Sequence, residues 1–206
     1  MKRLQIFDTL KEIYEKNGFS LYMVGGATRD YCLGRPFDDF DFVTDALPVE
    51  SLSFLKDAND SFARYGTLKV RIEGRLCDVA TLREEGDYLD HRHPSSISFV
   101  KDPKIDSNRR DFTINALYLN KDYEILDFHN GLKDLDDKVI RFIGDPYLRI
   151  KEDPLRIARA ERFATLLGFA IEEETQKAID ALYPLLNEIS KGKLEEEKKK
   201  GWRERK

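Results

Sequence analysis

No apolar run in this 206-residue chain approaches the roughly 20 residues that a membrane-spanning helix requires, and its first residues carry no targeting pattern. A cytoplasmic protein with no membrane partner is therefore expected. Cysteine is scarce: Cys32 and Cys77 are the two present, both in apolar stretches, and reduced buried thiols suit that placement better than a disulfide. Positive charge is not in excess, since 35 Lys and Arg stand against 39 Asp and Glu for a net charge of -4. That balance excludes nucleic-acid binding through overall basicity and leaves room only for a local basic path. There is no internal repeat and no G-x-G-x-x-G spacing of the Rossmann type. What is present is 41% apolar and 36% charged residues, enough for a compact core under a densely ionic surface.

Periodicity predicts an α+β order. Ile6, Leu10, Ile13 and Tyr14 repeat at helical spacing over residues 4 to 16, and Asn17-Gly18 ends the pattern. A strand over Leu21 to Val24 runs into Gly25-Gly26, then a helix from Ala27 to Leu33, a strand from Phe40 to Val43 and a helix opened by Pro48. Segments 67–72 and 75–82 read as a hairpin around Glu73-Gly74. Residues 83–108 read as a long mobile loop with one strand near 97–100, placed to act as a lid. Strand character returns at 112–119, which could also be helical, and at 124–128. Helices follow Gly144-Asp145-Pro146, one with the stripe Ile157, Ala160, Ala164, Leu167 and another over 173–189. The expected domains are residues 1–144, a partial helical domain over 145–190, and a frayed or disordered tail at 191–206 with eight basic and four acidic residues.

Several motifs bear on chemistry. In an extended strand Asp39 and Asp41 share one face while Phe40 and Phe42 share the other, so two carboxylates on a buried apolar backing can hold a hard divalent cation, or simply cap or turn in a neighbourhood made acidic by Asp38 and Asp45. Asp78 on the hairpin is the candidate third carboxylate; a solvent-facing strand position is the alternative. Gly25-Gly26 between strand and helix lets backbone approach a phosphate, or simply makes a tight turn. Arg109-Arg110-Asp111 with Asn115 offers forked donors to phosphate, or a surface ion-pair cluster. Asp153, Arg156 and Arg159 sit three residues apart on one helix, as ordinary ion pairs or as an acceptor and donors reading a base edge. His91-Arg92-His93 has no neighbouring ligand and reads as loop rather than metal site.

Taken in order, Val24-Gly25-Gly26-Ala27-Thr28-Arg29-Asp30, Asp39-Phe40-Asp41-Phe42-Val43-Thr44, Arg109-Arg110-Asp111-Phe112-Thr113-Ile114-Asn115-Ala116 and Glu152-Asp153-Pro154-Leu155-Arg156-Ile157-Ala158-Arg159-Ala160 resemble the class II tRNA nucleotidyltransferase and bacterial poly(A) polymerase family over residues 20–190. The resemblance implies a polymerase-β-like head with a mixed, mostly antiparallel sheet and a short helical neck. It implies addition of CMP or AMP from CTP or ATP to a tRNA 3′ end with two Mg²⁺ ions. Asp39 and Asp41 match the metal pair, with Asp78 supporting. Gly25, Gly26 and Arg29 match the triphosphate cradle, Arg110 and Asp111 the nucleotide and ribose contacts. Asp153 and Arg156 match the protein template for the base, with Arg159 reaching phosphate. Family members continue into helical domains that grip tRNA, and their Ile-Ser-x-Glu-Arg stretch reads Ile189-Ser190-Lys191-Gly192-Lys193 here. An RNA grip supplied by a partner protein or second copy is one expectation. Another is a different acceptor, whether RNA, protein or small molecule, and a third is a nucleotide-binding module without turnover.

Overall fold

The computed structural model describes residues 4–86 and 95–205, which form two compact units. The first comprises residues up to 84, 97–109 and 115–128; the second holds 85–96, 110–114 and everything from 129.

The first unit is built on a six-stranded sheet. Its elements are α1 (Gln5–Lys16), β1 (Leu21–Val24), α2 (Gly25–Cys32), β2 (Asp41–Thr44), α3 (Pro48–Phe54), β3 (Thr67–Ile72), β4 (Arg75–Thr81), β5 (Arg83–Glu85), β6 (Ile97–Phe99), α4 (Pro103–Ser107), β7 (Leu117–Leu119) and β8 (Ile125–Asp127). The strand order is β3-β4-β2-β1-β7-β8. Every pairing is antiparallel except β2 with β4, which run parallel with Asp41 opposite Asp78. The period-2 alternation sorts the strands onto two faces. Leu21, Met23, Phe42, Cys77 and Val79 pack with Phe7, Leu10 and Tyr14 of α1, while Val24, Val43, Leu82 and Tyr118 make a smaller cluster on the other face. Burying one such side chain contributes about 1.5–3 kcal/mol, so a one-residue slip of β2 would cost more than the ladder could restore.

Two departures from the sequence reading lie in this unit. The stretch read as a long loop with one strand near 97–100 does contain that strand, as β6, but also holds β5 and α4, whose ends are tied by Asp106: its buried carboxylate accepts from the Arg83 N–H at 3.0 Å, the Tyr118 hydroxyl at 2.7 Å and Arg109 Nε at 2.9 Å. The tip carrying His91-Arg92-His93, and with it the lid reading, lies outside the described residues. The segment 112–119 is a 3-10 turn over Thr113–Asn115 followed by β7, not one strand.

The second unit contains α5 (Gly131–Asp136), β9 (Val139–Ile140), α6 (Pro146–Glu152), α7 (Leu155–Leu167), β10 (Ala170–Ile171), α8 (Glu173–Leu182) and α9 (Lys191–Lys199). It claims residues 110–114 because Phe112 stacks on Phe142 at 5.0 Å and the two residues form a β-bridge. The division between units therefore falls at residue 128 and not near Gly144. The helical stripe on α7 ends at Gly168, whose φ of 69° supplies the left-handed C-cap. The tail is folded, contrary to the expectation of fraying. Glu197 of α9 is buried and accepts from Arg162 Nε at 2.8 Å, and Trp202, also buried, donates from Nε1 to Glu161 at 2.8 Å. Arg205 closes the segment on Asp180 at 2.6 Å and on the Tyr183 hydroxyl at 3.0 Å. The charges that look like a solvated run are partners for α7 and α8.

Candidate active site

The first unit gathers the carboxylates and the glycine turn. Antiparallel pairing of β1 with β2 sets Val24 opposite Asp41, so the chain leaving β1 turns into α2 directly beside that carboxylate. Gly25 makes the turn at φ 68°, a conformation that costs an L-residue about 1–2 kcal/mol. A Cβ at this position would lie 3.2 Å from Asp41 Oδ2, so glycine also keeps open the space in front of the carboxylate. Behind it Arg29, 5% exposed, is held bidentately by Asp30 at 3.0 and 2.8 Å and donates from Nη1 to Asn115 Oδ1 at 3.0 Å. The motif residues Arg29 and Asn115, 86 positions apart in sequence, thus stand together.

Asp39 is exposed and precedes β2, at the point where the Asp78 N–H still reaches the Phe40 carbonyl at 3.2 Å. Asp41 is half-buried. Asp78, beside Asp41 in register, gives its carboxylate to Lys69 Nζ at 2.7 Å, because antiparallel β3 places Lys69 opposite it. The expected closure of three carboxylates on one ion is therefore not formed: among the described residues no group of three or more His, Cys, Asp or Glu is arranged to hold a metal. A cation that is bound through one or two carboxylates and completes its shell with water and substrate phosphates, as Mg²⁺ does, fits Asp39 and Asp41 with the space that Gly25 leaves. The negative field is legible in Cys77: burial first, then Asp78, Asp39 and Asp41, against the opposing effect of Arg75, push its thiol up to about 11. The Cys77 thiol is thus neutral at physiological pH and packs as a small apolar group.

Gly25→Ala separates these two roles of the glycine. Gly34 also has positive φ, 66°, but nothing lies within 4 Å of where its Cβ would be. Both alanine variants should lose about 1–2 kcal/mol in urea unfolding. Only Gly25→Ala should also lose catalytic rate, by about 10²-fold, because it displaces Asp41. Equal rates in the two variants would remove Gly25 from the site.

The second unit gathers the remaining motif residues around Asp111. Its carboxylate accepts from Arg156 Nε at 2.7 Å and from Arg159 Nη1 at 2.6 Å. Burial alone would raise its pKa, yet Arg159 and Arg156 outweigh burial and hold it below the usual carboxylate range. Arg156, 2% exposed, also donates from Nη1 to Glu152 at 2.7 Å and to the Arg149 carbonyl at 2.6 Å. Arg149 in turn donates to the Arg110 carbonyl at 3.0 Å and to Glu152 at 2.7 Å. Glu152 and Arg149 belong to this cluster through the i,i+3 and i,i+4 spacing of 149, 152 and 156, a signal present in the sequence but not used there. Asp153 caps α7, its Oδ1 accepting the Leu155 N–H at 3.1 Å, while Oδ2 lies 3.9 Å from Arg159. Burial dominates there and raises its pKa.

A group whose folded pKa is raised loses stability as pH climbs through that window. Asp153→Asn, which keeps the capping oxygen, should therefore unfold at an equal or higher temperature than the parent at pH 7. The gain should vanish at acid pH, where the parent's Asp153 is protonated too. A variant that melts well below the parent at pH 7 would contradict this.

The chain is similar to known proteins. Residues 21–141 match the family model described as the Poly A polymerase head domain. The CCA-adding enzyme of Geobacillus thermodenitrificans is 42% identical over 175 residues, 85% of this chain and 43% of the relative. That of Enterococcus faecalis is 44% identical over 173 residues, 84% and 43% respectively. The chain thus spans less than half the length of these curated relatives. Among solved structures, the Bacillus stearothermophilus CCA-adding enzyme in complex with CTP superposes with a TM-score of 0.88 at 34% identity, over 97% of this chain and 48% of that one. A tRNA nucleotidyltransferase complexed with a primer tRNA and an incoming ATP analog gives a TM-score of 0.75 at 33% identity, over 92% and 55%. Among the described residues no helix is long and apolar enough to cross a membrane. Since the matched stretch is more than half of the sequence and holds the glycine turn, the Asp41 strand and Asp111, the chain belongs to the Poly A polymerase head domain family.

Proposed function

We propose that this chain carries the catalytic part of a nucleotidyltransferase that adds CMP and AMP, from CTP and ATP, to the 3′ end of tRNA in CCA-end synthesis or repair. The observation that carries the reading is Asp41 set against Gly25, where a Cβ would lie 3.2 Å from its Oδ2. The similarity to CCA-adding enzymes, one bound to CTP, supports the choice of reaction, and the relative complexed with a primer tRNA supports the choice of acceptor. Asp39 and Asp41 would hold Mg²⁺, and Gly25, Gly26 and the α2 N-terminus would take the triphosphate. Mg²⁺ bound there supplies Lewis-acid chemistry, activating the 3′-hydroxyl and neutralising the departing pyrophosphate. The 3′-oxygen bonds to the α-phosphorus as the bond to pyrophosphate breaks, and the hydroxyl proton passes to water. Buried Arg29, locked by Asp30 and Asn115, stiffens the turn that presents these N–H groups.

In the second unit Arg110, Asp111, Asp153, Arg156 and Arg159 are assigned to the sugar and base of the nucleotide. Arg156 donates to Asp111, Glu152 and the Arg149 carbonyl, so reading a base requires one of those bonds to be exchanged. The test is incubation with Mg²⁺, each labelled nucleoside triphosphate, and tRNA lacking one, two or three terminal nucleotides, beside a generic RNA. Stepwise addition to tRNA is expected, and bound nucleotide with no addition to any RNA would overturn the reading.

A further inference from the structure

One face of the first unit carries aromatic side chains that the core does not use. Phe62, Tyr65 and Phe99 are 48%, 45% and 39% exposed, unusual for aromatic residues of this size. They form one surface. The 3-10 turn Ala63–Tyr65 is closed by the Tyr65 N–H on the Phe62 carbonyl at 2.9 Å, and Gly66 follows at φ 84°. The Phe99 ring lies against Gly66 so closely that a Cβ there would fall 2.6 Å from Cε1. Arg64 stacks on the Tyr65 ring at 4.5 Å, and Lys69 Nζ is 6.0 Å from the Phe62 centroid. Arg83 donates to the Tyr65 carbonyl at 2.8 Å.

We propose that this face is a stacking platform for single-stranded RNA, taking bases of the acceptor strand close to its 3′ end. The identity of that strand rests on the nucleotidyltransferase reading; the platform itself does not. Exposed rings interleaved with cations are the chemistry that binds a single strand, because every base has a π-face and every linkage a negative charge. Arg64 is exposed and, among the described residues, has no acidic partner, in a chain with more acidic than basic residues. A guanidinium 4.5 Å over a ring, with no acidic partner among the described residues, suits a polyanion better than a dry protein interface. The platform is also continuous with the carboxylates: β3 leads from Gly66 to Lys69, which pairs with Asp78 beside Asp41, about 10 Å along the strand.

The probe is a fluorescein-labelled ten-nucleotide single-stranded RNA ending in CC, followed by anisotropy at several salt concentrations. Phe62→Ala/Tyr65→Ala should weaken binding at least about 20-fold, given stacking effects of about 5- to 150-fold per base. Arg64→Gln should weaken it several-fold and reduce the salt slope by about 0.7, the value for one phosphate contact on a single strand. Tyr65→Phe, which keeps the ring, should stay within about twofold of the parent by the same stacking argument. Melting curves confirm folding of each variant. A parent that does not bind the oligonucleotide, or a double variant that binds it as the parent does, overturns the proposal. So does a concentration-dependent self-association of the parent that the double variant loses while RNA binding persists. CMP incorporation run alongside separates the two readings. RNA binding lost in the double variant while the parent incorporates nothing supports the platform and counts against the nucleotidyltransferase. Unchanged KM for RNA in an active double variant does the reverse.

Discussion

Asp41→Asn should lower Mg²⁺-dependent nucleotide addition by about 10³-fold or more while leaving the melting temperature within about 2 °C of the parent. The side chains are isosteric, and Asp41 sits half-buried at the head of β2 with its Oδ2 facing the open space before Gly25. The backbone ladder on both sides of it, to Val24 and to Asp78, needs no carboxylate. Removing the charge takes away one anchor for a hard cation, while the amide keeps the side chain's shape and one of its oxygens. The rate loses the electrostatic stabilisation of pyrophosphate departure, several kcal/mol at about 1.4 kcal/mol per factor of ten. The measurement is single-turnover addition at saturating Mg²⁺, with thermal unfolding of the same sample. A rate within tenfold of the parent would show that Asp41 does not hold the ion. Excess Mn²⁺, which tolerates a poorer ligand set, offers a further arm: partial recovery there would trace the loss to metal affinity.

The elements legible in the sequence are those whose signal is local. The α1 face, the β3–β4 hairpin around Glu73-Gly74 and the α7 stripe ending at Gly168 each follow from spacing over a dozen residues or fewer, and the structure reproduces them nearly residue for residue. Asp39 and Asp41 were readable for the same reason, since alternation alone separates them from Phe40 and Phe42. What escaped depends on partners far away in sequence. Asp78 looks like a free strand carboxylate until antiparallel pairing sets Lys69 opposite it. Residues 110–114 look continuous with their neighbours until Phe112 finds Phe142. The tail reads as a solvated charge run because nothing local announces that Glu197 will be buried on Arg162, or that Trp202 will reach Glu161. Long-range ion pairing between α7 and α9 turns a polar helix of weak intrinsic amphipathicity into a packed one.

Arg156→Ala should destabilise the fold by about 3–5 kcal/mol at pH 7, the cost of breaking a buried ion pair from one side. Arg156 is 2% exposed and ties α7 to two segments: Asp111 before the 3-10 turn, and α6 through Glu152 and the Arg149 carbonyl. Truncation leaves Asp111 with Arg159 alone and takes one of two donors from Glu152, which keeps Arg149, and one from the Arg149 carbonyl, which keeps the Asp153 N–H. The pH dependence identifies the cause. Asp111 has a folded pKa below its unfolded value of about 3.9, so its contribution is present above that value and is lost as pH falls through the folded pKa. The penalty for Arg156→Ala should therefore be largest at neutral pH and shrink as pH falls through the folded pKa of Asp111, which lies below that of a free carboxylate. Asp111→Asn/Arg156→Ala should cost less than the two single changes summed, because neither variant leaves the other's charge stranded. Urea unfolding from pH 7 downward measures both. A loss under about 1 kcal/mol at pH 7, the size of an exposed pair, or a penalty that does not change with pH, would mean that the pair is a bystander. In that case Arg156 would be free to leave Asp111 for a base at little cost. A large, pH-dependent penalty would mean that the donors which read a base are also those that hold α6 and α7 to Asp111, so that nucleotide binding must replace what it breaks.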